Sequence, residues 1–466
     1  MTNHIQPFLI IMLCIIPLTS STSTFKFVFN IFRHGARSPY TGLINGTDCY
    51  NNKWDSLGEL TPVGKRMHYL LGYRNRLRYI TNTTSPFLSP TPSIQELLIY
   101  STDVNRTIES VYSLLQGLYP PSTGPFIPST VNLSDTRPHK SNYTDNFTEI
   151  ESSLSNNASL PNFLSLIPVH ILDKSLHTSQ LHEYKNCPGI ESAYINSMNR
   201  PEMKTFMKKM TDLYGKQLQQ IEGTSNETFL YDYWTLYKYM DTFIVDKTNG
   251  NDLSILESHN INLNEFEKNA FEFLNLDYLG TNFNNKEIGV LSMTHPMRKV
   301  LYYMKQVVKG KPSPKMLMYS AHDSTIGAFE VFNNVVFGTQ IEYAYFAENC
   351  AYELYEEDRN MKVRYIKGDN VKFEISYQEF KEKVEKALWT DKEIENYCKW
   401  KGDKLKWENV FRMIVMISGI LAIVLGSVLF GMSLFVIKNK KSYKQQDKSD
   451  ITNYMLDENI GPLGTV

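Results

Sequence analysis

The chain has 466 residues, 42% of them hydrophobic and 21% charged, and its 48 lysines and arginines nearly cancel 49 aspartates and glutamates, leaving a net charge of -1. This is an ordinary globular composition with room for a large core; it excludes a disordered chain and a globally basic nucleic-acid binder. Any concentration of positive charge must then be a local device.

The first element is "PFLIIMLCIIPLTSSTS", Pro7 to Ser23, an apolar run followed by small residues suited to cleavage, so residues 1–23 are expected to be a signal peptide. Next, "FKFVFNIF", Phe25 to Phe32, predicts a buried strand. It runs straight into "RHGARSP", which carries Arg33, His34 and Arg37. A helical pattern starts at Thr61. The strand-like "ELLIYST", Glu96 to Thr102, leads through "STDVNR" to Arg106 at the start of another helix. A third strand-like run is "LIPVHIL", Leu166 to Leu172.

From about Cys187 to Gly280 the signals are helical, as in "RPEMKTFMKKMTDLYGKQLQQI" with Pro201 at its start and Gly223 just past its end. A helix from Thr294 and the strand "KMLMYSA", Lys315 to Ala321, lead into "SAHDST" with His322 and Asp323. Met413 to Ile437 has no charge and is long enough to cross a bilayer core of roughly 30 Å. Lys438, Lys440, Lys441 and Lys444 follow, so the positive-inside rule places the tail, 438–466, in the cytosol and the preceding bulk in the lumen or outside. Glycosylation acceptors at Asn45, Asn82, Asn105, Asn132, Asn142, Asn146, Asn157 and Asn226 all precede the span. Once Cys14 leaves with the signal peptide, Cys49, Cys187, Cys350 and Cys398 remain, an even number in an oxidising compartment. Two disulfides are expected, with three connectivities open.

Strand, turn and helix in repetition predict an α/β fold: a doubly wound, mostly parallel sheet with helices on both faces and an inserted, mainly helical subdomain. The expected parts are 24–186 and 286–407 for the core, 187–285 for the helical subdomain and 413–437 for the transmembrane helix. In open α/β sheets ligands bind beyond the carboxyl ends of the strands, so Arg33, His34, Arg37, Arg106, His322 and Asp323 can meet in one crevice. Helix N-termini there would add donors for an anion. Three arginines can neutralise a phosphomonoester, and their charge favours a neutral, nucleophilic imidazole. An aspartate can protonate a departing alkoxide. No metal is called for: His177 and His182 lack an acidic or cysteine set to complete a ligand cluster. Ser320 and Ser324 lie in no GxSxG elbow.

These residues also carry a resemblance. "RHGARSP" is similar to the RHGxRxP signature of the histidine acid phosphatases, "SAHDST" to their HD motif, and "STDVNRT" to the segment that supplies their third arginine. "LGELTPVGKRMHYLLG" resembles the stretch after the first motif, and the likeness spans most of Phe25 to Cys398. It implies a phosphoglycerate-mutase-like fold, no cofactor, His34 as the phosphorylated nucleophile and Asp323 as the proton donor. Arg33, Arg37, Arg106 and His322 would bind the phosphoryl oxygens. Cys187 and Cys350 resemble positions that are paired in animal members, which leaves Cys49 for Cys398. Asn105 is expected to stay unmodified, because its sequon abuts Arg106.

The partners implied are small phosphomonoesters and a lipid bilayer entered by one helix, with no nucleic acid and with a homodimer left open. The layout resembles lysosomal members of that family. The tail tyrosines in "SYKQ" and "NYMLD" have no apolar residue three places later, which keeps the cell surface as the alternative location. The rival functions are a phytase-like inositol phosphate phosphatase and a non-catalytic glycosylated receptor on the same fold.

Overall fold

The computed structural model describes residues 23–398 except 45, 82–85, 133–135, 138–150, 152–153, 155–156, 173–186, 188, 191–198, 224–231 and 277–285. The expected signal peptide (all but its last residue), transmembrane helix and tail lie outside the described residues, as do His177, His182 and the acceptors Asn45, Asn82, Asn142, Asn146 and Asn226. Among the described residues no helix is long and apolar enough to cross a membrane.

Strand β1, Thr24–Arg33, is buried from Phe27 onward. After it come α1, Pro62–Arg76, β2, Leu97–Thr102, α2, Asn105–Leu118, and β3, His170–Leu172. Among the described residues four helices follow: α3, Pro201–Glu222, α4, Tyr233–Asn249, α5, Ser254–Ser258, and α6, Leu263–Leu276. The chain then returns through α7, Lys286–Val308, β4, Met316–Ala321, and α8, Asp323–Phe337. It ends with β5, Asn349–Glu357, β6, Asn360–Lys367, β7, Asn370–Ser376, α9, Tyr377–Ala387, and α10, Asp391–Cys398.

One seven-stranded sheet runs in the order β3-β2-β4-β1-β5-β6-β7. The α/β class with a helical subdomain is what was expected. The four strands β3, β2, β4 and β1 are mutually parallel, whereas β5, β6 and β7 add an antiparallel meander that the sequence reading did not include. The meander escaped because its turn at Asp358 and Arg359 takes positive φ at both residues (49° and 65°) without a glycine to mark it. Its outer strand, β7, is also largely exposed and carries no continuous apolar run.

Side chains of β1 alternate between two cores, as a strand buried on both faces requires. Val28 and Phe32 join Leu71 of α1 and Val111, Leu114 and Leu118 of α2 on one face. Phe27, Phe29 and Ile31 face the other, with Met297 of α7, Phe329 of α8 and Phe380 of α9. The inserted helices share that second core: Met210 of α3, Phe243 of α4 and Phe273 of α6 are all fully buried in it. Helix α7 starts two turns before the expected Thr294 and takes Pro296 into its interior. Val290, Leu291 and Met293 are buried in the core, which holds the first turns in place despite the proline.

The disulfide differs from the expected pairing. Cys187 is bonded to Cys398, while Cys49 and Cys350 are free thiols. Two contacts explain this. Gly189 lies so close to the Tyr397 backbone that a Cβ there would overlap it, which brings Cys187 to the end of α10. Cys350 instead sits in mid-sheet on β5, fully buried between Glu330 and Tyr365.

Candidate active site

Because β2, β4 and β1 are parallel neighbours, their carboxyl ends share one edge, with Arg33 in register with Ala321 and Ser101 with Ser320. The ladder continues one residue past β1, where the His34 N–H donates to the Ala321 carbonyl (2.9 Å). The loop beyond is pressed onto the first turn of α1. A Cβ on Gly35 would overlap the Gly64 backbone, and one on Gly64 would overlap the Ala36 carbonyl, so both positions accept only glycine. Thr61 caps α1, accepting from the Gly64 N–H (3.2 Å), and its own N–H donates to the Ala36 carbonyl (3.0 Å).

His34 is 1% exposed. Its Nδ1 lies 2.8 Å from the Gly35 carbonyl, an acceptor only, so Nδ1 carries the proton and the lone pair is on Nε2. Burial pushes its pKa well below the usual histidine value, and the charges of Arg106, Arg33, His322 and Arg37 push it the same way. The result is a neutral imidazole with its free lone pair on Nε2 among three guanidinium groups.

Each arginine is held differently. Arg33 donates to the Tyr343 hydroxyl (3.1 Å) and the Ala344 carbonyl (2.7 Å), pairs with Asp323 (2.8 Å), and lies over the Phe346 ring (4.2 Å). Arg37 makes a bidentate pair with Asp241 of α4, at 2.8 and 3.1 Å. Arg106, at the start of α2, has no salt-bridge carboxylate among the described residues; it donates to the Gly58 carbonyl (3.3 Å) and lies 3.3 Å from His322 Nδ1. Burial and the nearby Arg37 charge lower its pKa to about 10, against the opposing pull of Asp323, so it stays charged at neutral pH. Among the described residues, the Nε groups of Arg33 and Arg106 are buried without an acceptor.

His322 lies between Arg106 and Thr102, whose hydroxyl is 2.9 Å from its Nε2. Its ring stands 5.6 Å from that of His34. Asp323 opens α8 with a one-third exposed side chain, and its Oδ1 accepts from the Ser324 N–H (2.8 Å). Burial alone would raise its pKa, but Arg33, Arg37, the Ser324 N–H and Arg106 outweigh burial and hold it below the ordinary carboxylate value. All six residues singled out in the sequence, Arg33, His34, Arg37, Arg106, His322 and Asp323, thus meet at one sheet edge. Asn105 is exposed beside them, donating to Glu59 (3.2 Å).

Three contributors were not legible in advance. Asp241 is one acidic residue in the middle of a helix, 204 positions from its partner. Thr102 hides at the end of an ordinary strand. The segment from Tyr343 to Phe346 is an irregular aromatic stretch with no motif, yet Ala347, in the left-handed region at φ 57°, donates to the His34 carbonyl (3.0 Å). Buried Lys367 secures the same segment by donating to the Glu342 (3.0 Å) and Tyr343 (3.3 Å) carbonyls.

Comparison with known proteins gives the family. The sequence profile of the histidine phosphatase superfamily (branch 2) matches residues 24–367. The lysosomal acid phosphatase of Xenopus laevis is 28% identical over 351 residues, covering 74% of this chain and 68% of that protein. The human lysosomal acid phosphatase is 28% identical over 353 residues (74% and 70%), and the prostatic acid phosphatase of Bos taurus is 24% identical over 350 (75% and 78%). Among solved structures, the apo phytase of Hafnia alvei superposes with a TM-score of 0.53 at 11% identity, covering 81% of this chain and 98% of that one. The phytase of Citrobacter braakii gives 0.52 at 12% (78% and 98%). The structural likenesses speak for the fold and the profile for descent: the chain belongs to branch 2 of the histidine phosphatase superfamily.

Proposed function

We propose that this chain is a membrane-anchored acid phosphatase that hydrolyses phosphomonoesters through a phosphohistidine at His34. The observation that carries the reading is the tie of His34 Nδ1–H to the Gly35 carbonyl, which leaves Nε2 as a lone-pair donor among Arg33, Arg37 and Arg106. Nε2 attacks phosphorus and the N–P bond forms as the P–O bond breaks. Asp323 passes its proton to the leaving oxygen. In the second half, the Asp323 carboxylate takes a proton from water as that water displaces His34 from phosphorus, releasing phosphate and restoring both groups. The arginines and His322 hold the equatorial oxygens, on which the transition state spreads its charge.

The substrate prepares its own acid. In the free enzyme Asp323 is held ionised by the arginines. A bound dianion draws on the same guanidinium groups and adds negative charge beside the carboxylate, so the proton is held more tightly once substrate is present and the medium is acidic. The expected leader, the span 413–437 and the lysosomal acid phosphatases among the relatives support a lysosomal membrane location with the catalytic part lumenal.

The test is direct. Brief mixing with labelled substrate and an alkaline quench should trap an acid-labile phosphoprotein, and His34→Ala should lose both label and turnover. Steady-state turnover persisting in verified His34→Ala protein would remove the covalent mechanism.

A further inference from the structure

Helix α4 touches the first motif and the loop after it at several points. Asp241 grips the Arg37 guanidinium, Asn249 Nδ2 donates to the Arg37 carbonyl (3.3 Å), and the Tyr50 hydroxyl donates to the Tyr239 carbonyl (2.8 Å). The fourth point is a contact between two carboxyl groups, Asp48 of the loop and Asp246 of α4. They are 6% and 0% exposed, and Asn52 bridges them, its N–H donating to Asp48 and its Nδ2 to Asp246. Two buried carboxyl groups brought together by one bridging side chain repel when both are ionised, and a single retained proton relieves that repulsion.

The surroundings offer N–H donors to both carboxyl groups. Asp48 accepts from the Tyr50 N–H (2.8 Å), the Asn52 N–H (3.1 Å) and Trp54 Nε1–H (2.8 Å). Asp246 accepts from Asn52 Nδ2 (3.1 Å) and Asn251 Nδ2 (2.9 Å). Every one of these partners is an N–H donor, so the lone pairs face protons and the cluster is not built for a cation. The lysines of α4, Lys238 and Lys247, are committed to Glu222 and Glu267. Cys49 and Tyr50, which also face the pair, are pushed upward by burial and stay neutral, as does Tyr239, which donates to Glu222. Asp252 is engaged by Ser254, and Asp241 by Arg37.

We infer that Asp48 and Asp246 are a proton-sharing pair that positions Arg37: one retained proton docks the loop after the signature motif on α4, and loss of that proton loosens the dock. The role assigned to Arg37 rests on the phosphatase reading; the titration of the pair does not. Burial and the Asp48 charge raise the Asp246 pKa to about 7. The folded state therefore holds more protons than the unfolded one between about pH 4 and 7, and the local closure weakens as pH rises through that window. A site so built is firmest in acid.

The experiment is hydrogen exchange on the full chain. The amides of Tyr50 and Asn52, which donate to Asp48, are followed at pH 5 and 8 after correction for intrinsic exchange. Wild-type protection should fall by about tenfold or more, since one proton of linkage changes an opening constant up to tenfold per pH unit. In Asp246→Asn, and equally in Asp48→Asn, an amide replaces the shared proton and the fall should vanish. The readout that separates positioning from mere stability is affinity for inorganic phosphate. The ratio of wild-type to Asp246→Asn Kd, in which phosphate's own titration cancels, should rise at least threefold from pH 5 to 8. Equal protection of the wild-type amides at both pH values would overturn the shared proton, whether or not either variant folds. A Kd ratio constant with pH would overturn the link to Arg37. Neither result depends on turnover, so failure of the catalytic reading is scored separately, by the labelling of His34.

Discussion

Asp323 is held charged by Arg33 at 2.8 Å, although its proposed task is to give up a proton. The leaving group can serve as a probe of that task, because an alkoxide needs a proton and an activated phenolate leaves with little help. Asp323→Asn should therefore slow single-turnover phosphorylation by an alkyl phosphate about 10²-fold more than by p-nitrophenyl phosphate. Equal slowing would move the acid elsewhere. Asp241 offers a second test. Asp241→Ala leaves the buried Arg37 charge unpaired, a loss of roughly 3–5 kcal/mol of stability. Inorganic phosphate should restore part of the lost thermal stability, and KM should rise more than kcat falls; thermal melts with and without phosphate check the first, steady-state kinetics the second. The six residues at the sheet edge could be read from sequence because each stands beside a strand end in a recognisable motif. Asp241 could not, since nothing local separates it from a solvated helical acid, and only the tertiary fold brings α4 to the motif.

At the scale of elements, the site depends on how closely the loop after β1 lies on α1. Gly35→Ala would drive a methyl group into the Gly64 backbone, which cannot yield as a flexible side chain could. That variant should be recovered in low yield or melt well below wild type, by thermal denaturation, even though it changes no chemical group of the site. The strands β1, β2 and β4 were legible because they are short continuous apolar runs ending in polar or charged groups, whereas of the expected run Leu166 to Leu172 only His170–Leu172 forms a strand, largely exposed at the sheet edge. The antiparallel meander was not: its strands mix polar and apolar residues, and its first turn uses Asp358 and Arg359 where a glycine would have announced a hairpin. The start of α7 was misplaced for a related reason, in that a local rule about Pro296 yielded to burial of the turns before it.

Across the whole molecule, the Cys187–Cys398 bond closes a separation of 211 residues and joins the chain at the start of the expected helical subdomain to the last described helix. Peptide mapping without reduction should recover that pair. Cys350, fully buried beside Glu330 and with its thiol pKa pushed up by burial, should resist thiol reagents until the protein unfolds. Histidine burial sets an acid limit on the fold. His68 is fully buried under Phe32, 3.0 Å from the Arg33 carbonyl, and burial lowers its pKa to about 3. Its neutral form contributes stability that is complete above about pH 6.5 and is lost progressively as pH falls toward 3. The melting-temperature difference between wild type and His68→Gln should therefore shrink over that window, and a constant difference would refute the assignment. The central claim, however, concerns one nitrogen. Phosphorus NMR of the alkali-quenched phosphoenzyme, combined with peptide sequencing, distinguishes the two ring positions of phosphohistidine. The structure commits Nδ1–H to the Gly35 carbonyl, so the phosphoryl group should be found on Nε2 of His34; phosphate on Nδ1, on another residue, or on none would contradict the account.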